Sequence, residues 1–299
     1  MADSFDWDAL QSFLAVARAG RLTLAARNLG IDHSTLSRRI KDLETRLQSQ
    51  LFERSVQGYH LTPQGERLMH AAQTMETVAF EVMKEVAGTS LKIAGVVRIG
   101  APDGFGTSFL APRLGDLGRL HPELSIQLVT MPRLFSLTKR EADIAIGLAP
   151  PEEGRLHARK LTDYELGLYA SSDYLARHGA PAERADLKNH RLIGYVSELL
   201  YSPELDYIPL IGKDLEPSLT SANLLAQHAM TVAGHGLCVL PRFMTAEDPR
   251  LVRVMADSVR LIRSLWLIVH SDIRDLARVR VTSDFIAETV RANHHLFVD

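Results

Sequence analysis

The segment IDHSTLSRRIKDLETRL, Ile31 to Leu47, constrains the fold more than any other. Leu36, Ile40, Leu43 and Leu47 recur at helical spacing and form one apolar stripe, while Ser34, Arg38, Lys41 and Thr45 occupy the opposite face with Ser37 at its margin. Asp32 stands where an N-cap belongs, and Ile31 and Leu36 are spaced for a hydrophobic staple. Taken alone, such a face is the solvated side of an amphipathic helix. Its neighbours change that reading. DALQSFLAVARAG places Leu10, Phe13, Leu14 and Ala17 at helical spacing and stops at Gly20. LTLAARNLG is a short second helix whose Ala25 and Ala26 admit a close neighbour, and Gly30 supplies the turn into the third. LFERSVQGYHLT then reads as a hairpin around Gln57 and Gly58. Residues 1–62 are thus expected to form a mainly α winged helix-turn-helix.

Thr62 followed by Pro63 is a strong helix start. Beyond it Leu68, Ala71, Met75, Val78 and Val82 step by three and four, the seam of a coiled coil, although a core helix of a single domain shows the same stripe. A run of roughly 25 residues exceeds the usual globular helix and favours the seam. Residues 63–90 are therefore read as a long linker helix that pairs two chains.

From about residue 91 the periodicity changes. VVRIGA, LSIQLVTM, ADIAIGLA, ELGLYAS, HRLIGYV, HGLCVLP and SLWLIVH are β-rich runs alternating with helical stretches. That alternation implies α/β layers with parallel sheets, and some 200 residues suit two small sheets with a cleft between them. A net charge of −2 excludes a surface that coats nucleic acid everywhere and leaves room for a local basic face. One cysteine, Cys238, excludes a disulfide framework and a cysteine zinc site, and the acidic start MADSFDWDAL with no long apolar run points to a soluble cytoplasmic protein without a membrane role.

Ala25, Ala26, Leu29, Ser37, Arg38, Ile40, Leu43, Glu44, Leu47, Leu51, Phe52, Arg54, Leu61, Thr62 and Gly65 together resemble the LysR-type transcriptional regulators. FLAPRLGDLGRLHPELSIQL, READIAIG and VAGHGLCVLP extend the resemblance more weakly to the C-terminus. It implies a homodimer or homotetramer that binds double-stranded DNA and contacts RNA polymerase, with a two-lobed, periplasmic-binding-protein-like domain over residues 91–299 that takes a small-molecule effector. Two positions depart from the family pattern. Gln48 stands where a glycine usually ends the third helix, which puts a left-handed cap there in question, and Gly147 stands where many members carry arginine.

In that setting the hydroxyl and basic face of the third helix is expected to enter a major groove. Ser34, Ser37 and Arg38 near its N-terminus are placed for base edges or adjacent phosphates, with Arg38 suited to guanine, while Lys41, Arg39 and Arg54 meet phosphate. Arg39 has an alternative, pairing with Glu44 or Asp42. For the effector, GAPDGFGTSFL is read as entering a helix at Thr107 and Ser108, and LTSANLL at Thr220, Ser221 and Asn223; hydroxyl-bearing helix starts favour a carboxylate, unless they only cap their helices. The resemblance adds Tyr195 and the segment from Met131 and Pro132 to Leu134. No cofactor is expected. Cys238 in an apolar strand reads as core rather than nucleophile, and His294 and His295 lack the spacing for a shared metal. A stand-alone solute-binding protein would explain the lobes but not the first 90 residues.

Overall fold

The computed structural model describes residues 6–55, 58–69, 71–72, 75–76, 79, 93–131, 141–151 and 155–299. The chain divides into two compact units, Met1–Leu91 and Lys92–Asp299.

In the first unit, helices α1 (Trp7–Ala19), α2 (Leu22–Leu29) and α3 (His33–Arg46) are followed by strands β1 (Phe52–Ser55) and β2 (Gly58–Leu61). Asp6 caps α1 by accepting the Ala9 N–H, and Gly20 and Gly30 end α1 and α2 in the left-handed conformation. The strands pair antiparallel, Phe52 opposite Leu61 and Ser55 opposite Gly58, and form the wing. Phe13, Leu14, Ala25, Leu36, Ile40 and Leu51 fill the core between them. Each large member contributes about 1.5–3 kcal/mol by leaving water. The expected apolar stripe is one residue too long, since Leu47 caps α3 and is 47% exposed. Asp32 holds the N-cap position of α3 without a side-chain cap hydrogen bond. Gln48 takes the left-handed conformation (φ 47°) that the sequence put in question there.

Thr62 starts the next helix as its sequence announces: its hydroxyl accepts the Gly65 N–H at 3.0 Å and donates to the Gln50 carbonyl at 2.7 Å. Residues 63–69, 71, 72, 75, 76 and 79 are helical. Met69 and Ala72 on this helix are buried in the winged-helix core, so its first turns belong to the core of this unit.

The second unit is a single hydrogen-bonded sheet rather than the two separate sheets anticipated. Its order is β4 (Leu124–Thr130), β3 (Gly95–Ala101), β5 (Ile144–Gly147), β11 (Arg260–His270), β6 (Leu156–Ser171), β9 (Leu237–Pro241), β7 (Leu192–Gly194), β8 (Leu219–Thr220), with β10 (Leu251–Val254) also on β6. Strands β3, β4 and β5 run parallel in one lobe and β7, β8 and β9 in the other. The long strands β6 and β11 run antiparallel to each other and to β5, β9 and β10, so they belong to both lobes. Their register shifts between Leu265 and Trp266, where Thr162 and Lys160 are the successive partners and Leu161 is left over. A bulge of this kind bends and twists a sheet, and here it falls where the lobes meet. Behind it Phe297 packs on Phe105, Phe109 and Phe243, closing the core of the hinge.

Candidate nucleic-acid interface and effector crevice

Helix α3 buries Leu36, Ile40 and Leu43 and presents the other side to solvent: Ser34, Arg38, Lys41 and Thr45 are exposed and Ser37 is half-buried. The Thr45 hydroxyl is already spent on the Lys41 carbonyl at 2.8 Å. Arg39 has an intrachain partner, though not Glu44 or Asp42. Its guanidinium reaches back to α1, 3.6 Å from the Asp8 carboxylate and 3.5 Å from the Ser12 hydroxyl. Glu44 is committed elsewhere, accepting the Leu51 N–H at 2.8 Å and the Phe52 N–H at 3.2 Å, which ties α3 to the wing. The Arg39 pair is long and exposed and contributes little to stability. It nonetheless turns Arg39 toward α1, off the face that carries Arg38 and Lys41. The backbone of Arg54 lies in β1, opposite Tyr59.

Of the seam residues, Leu68 leans on the winged-helix core, Ala71 is exposed and Met75 is 43% exposed, while Val78 and Val82 lie outside the described residues.

The lobes of the second unit enclose a crevice of about 20 Å³, room for about one water molecule. It lies at the carboxyl ends of the parallel strands, where open α/β sheets place their ligands: Asp103 follows β3, Leu148 follows β5, Tyr195 follows β7 and Pro241 ends β9. Tyr164 and Leu265 face it from the shared strands, and Tyr201, Leu205, Leu224, Phe105 and Phe243 complete the wall. The walls are close at Gly104, where an added Cβ would come within 2.6 Å of the Leu224 side chain. Asp103 is only 3% exposed and crosses the crevice. Its Oδ2 accepts the Leu224 N–H at 2.7 Å, at the first residue of helix Leu224–Val232. Burial pushes the Asp103 carboxyl above the ordinary range, against backbone N–H groups that pull it down. Burial likewise raises the hydroxyls of Tyr164, Tyr195 and Tyr201, which therefore stay neutral.

These positions correct the expected effector contacts. Thr107 and Ser108 are not at a helix start, because the chain is already helical from Asp103 and passes through a π-helical stretch, Phe105–Leu110. Thr107 is exposed, and Ser108 faces a different, open hollow of about 380 Å³ beside Asp248 and Arg250. That hollow is larger, but the enclosed crevice is the one at the strand ends. Ser221 and Asn223 work as local caps: the Ser221 hydroxyl accepts the Asn223 N–H at 3.1 Å, and Asn223 Oδ1 accepts the Ala226 N–H at 3.0 Å. Thr220 is exposed at the end of β8, Met131 is exposed after β4, and Pro132 lies outside the described residues. Among the described effector positions inferred from sequence, Tyr195 alone lines the crevice. At the start of helix Leu224–Val232, where an anionic group was expected, the Leu224 N–H is already taken by the chain's own Asp103. The signal missed was the acid in APDG directly after a strand.

Cys238 is buried in β9, and burial pushes its thiol up to about 12. His294 and His295 are exposed. Among the described residues no cluster of three or more His, Cys, Asp or Glu could hold a metal ion, and no helix is long and apolar enough to cross a membrane.

Comparison with known proteins supplies the context. Residues 7–66 match the bacterial regulatory helix-turn-helix protein, lysR family, and residues 92–291 match the LysR substrate binding domain. The chain is 29% identical over 291 residues to the Mau operon transcriptional activator of Paracoccus denitrificans, covering 95% of this chain and 98% of that one. It is 32% identical over 293 residues to the regulator DmlR of Escherichia coli, covering 93% of this chain and 92% of that one. Among solved structures it is similar to CrgA, a LysR-type transcriptional regulator from Neisseria meningitidis, with a TM-score of 0.59 at 23% identity over 95% of this chain and 99% of that one. It is also similar to a full-length OxyR variant from Pseudomonas aeruginosa, with a TM-score of 0.67 at 21% identity over 96% and 97% of the two chains. The two solved structures share the fold with this chain.

Proposed function

The chain belongs to the LysR family of bacterial transcriptional regulators, and from that premise we propose that α3 reads a duplex operator while the crevice of the second unit holds the effector. The observation that carries the reading is the division of α3 into a buried apolar side and an exposed side with Ser34, Arg38 and Lys41. Arg38 reads a base, with guanine its natural partner, and Ser34 and Ser37 contact base edges or the adjacent phosphate. Lys41 and Arg54 hold phosphates, which fixes orientation without reading sequence. Arg39 is the weakest member of the set, since α1 competes for its guanidinium.

Two reading heads are tethered by the helix that follows Thr62, through Ala71, Met75, Val78 and Val82. Exposure of Ala71 and Met75 supports this part of the reading. In this reading the chain is divided at 1–62, 63–90 and 91–299, with Met69 and Ala72 of the linker serving the core of the head. The regulator acts in the cytoplasm, as a dimer or a pair of dimers that engages RNA polymerase, and no catalytic step is assigned to it. A small molecule entering the crevice shifts the DNA-bound arrangement only as far as its affinities for the two arrangements differ.

Selection of duplexes from fragmented genomic DNA by the full chain, followed by titration of the retained duplexes against salt, tests the reading. It requires enrichment of a partly two-fold sequence and affinity that falls with salt. Retention of all fragments alike would refute it.

A further inference from the structure

The crevice holds a buried carboxyl without a side-chain counter-charge among the described residues that line it. The Asp103 carboxylate is buried in its wall, and no arginine, lysine or histidine is among the described residues that line it. Arg263 is near enough to act on Tyr164, but its guanidinium is turned to the carbonyls of Glu204 and Ile262. The start of helix Leu224–Val232 and the backbone N–H groups of Leu224, Leu225 and Gly104 face the Asp103 carboxyl and offset its charge in part, with no side-chain cation in the lining to complete the balance. The same crevice is lined by Tyr164, Tyr195, Tyr201, Phe105 and Phe243. Tyr195 is hydrogen-bonded to Tyr207 behind the wall. Among the described residues the Tyr164 and Tyr201 hydroxyls have no hydrogen-bond partner, so both are available to a ligand.

A buried carboxylate walled by aromatic faces is the chemistry that recognises an organic cation: the acid pairs with the charge and the ring faces attract it. We infer that the effector is a primary ammonium on a small apolar group, its N–H bonds shared between Asp103 and the hydroxyls of Tyr164 and Tyr201. An ammonium head is about the size of the one water the crevice admits. Its hydrocarbon part enters as the lobes part at the Leu161 bulge of β6 and β11. An anionic ligand would meet Asp103 at the helix start it needs and be repelled. This inference rests on the reading of the crevice as the effector site, and it names the chemical class that the site takes.

The test uses the full chain and two matched series: chloride salts of methylammonium, butylammonium and benzylammonium, and sodium salts of acetate, butyrate and benzoate. Calorimetric titration and thermal melting are expected to show saturable binding of at least one amine and of no carboxylate. Asp103→Asn keeps an acceptor for the Leu224 N–H and removes the charge, and it should weaken that amine about 10- to 100-fold. Tyr201→Phe, which removes only a hydroxyl, should weaken it less. Binding by a carboxylate in place of the amines, equal amine affinity in Asp103→Asn, or no saturable amine binding would each overturn the inference. Duplex binding measured on the same preparation separates the two readings. If it persists while every amine fails, the ligand class is wrong and the regulator reading stands; if it is lost as well, both fall.

Discussion

The carboxylate of Asp103, at the end of β3 in one lobe, accepts a 2.7 Å hydrogen bond from the backbone N–H of Leu224, the first residue of a helix in the other lobe. One side chain therefore spans the crevice and caps a helix across it. A contact of this kind holds the lobes together when no ligand lies between them, and any ligand that enters must either use the carboxylate or displace it.

The titration of Asp103 follows from its burial. The carboxyl is raised, so the folded chain holds this proton more tightly than the unfolded chain. Protonation then adds stability as pH falls through the raised value and adds none well above it. Asp103→Asn does not titrate and still accepts the Leu224 N–H. The variant should melt above the wild type at neutral pH, with the gap closing as pH is lowered into the carboxylate range. Melting curves across pH check this, and a variant that melted lower at neutral pH would contradict it.

Gln48 occupies a left-handed conformation at the end of α3 with a φ of 47°. A residue with a Cβ is held there at a cost of about 1–2 kcal/mol, which glycine avoids. Gln48→Gly should stabilise the chain by about 0.5–1 kcal/mol once the larger unfolded-state entropy of glycine is deducted. Urea unfolding of the two proteins measures the difference directly; a destabilised variant would mean that the Gln48 side chain has a compensating contact.

Met75 is 43% exposed on the helix that follows the wing, whereas Met69 is buried in the same unit. Met75→Glu should leave the winged-helix core intact and split the dimer, and high-affinity operator binding should fall with it because a two-fold site needs two tethered heads. Met69→Glu should instead unfold the head. Light scattering with circular dichroism distinguishes the cases, and native mass in Met75→Glu would remove the residue from the interface.

Lys41 is exposed on the same side of α3 as Arg38. If it holds a phosphate, Lys41→Ala should weaken all duplexes alike and lower the slope of log K against log salt by about 1. A changed base preference would place Lys41 at a base edge.

Helix by helix, the first unit was legible because its signals are local. The stripe of Leu36, Ile40 and Leu43, the glycines after α1 and α2, and the Thr62–Pro63 start each lie within a few residues of what they specify. The misreadings are tertiary. Arg39 finds Asp8 on another helix rather than an acid one turn away on its own. The β-rich run ELGLYAS is one end of a strand of 16 residues whose other half pairs in the opposite lobe, and pairing register is not written in the strand itself. The crevice was located in outline, at the strand ends, but its contents were not. Hydroxyls near helix starts drew attention to Ser108 and Ser221, whereas the crevice is lined by Asp103 and by tyrosines from three separate segments that only folding brings together.

The central claim is that the exposed side of α3 reads sequence, and the binding of Arg38→Ala tests it most directly. Full-length wild type and Arg38→Ala should be titrated, at one salt concentration, with a duplex selected by the wild type and with a scrambled duplex of equal length. Losing a bidentate base contact should lower the ratio of specific to non-specific affinity by about 5- to 150-fold, the equivalent of about 1–3 kcal/mol, with little change on the scrambled duplex. An unchanged ratio would contradict the claim and take Arg38 out of base reading.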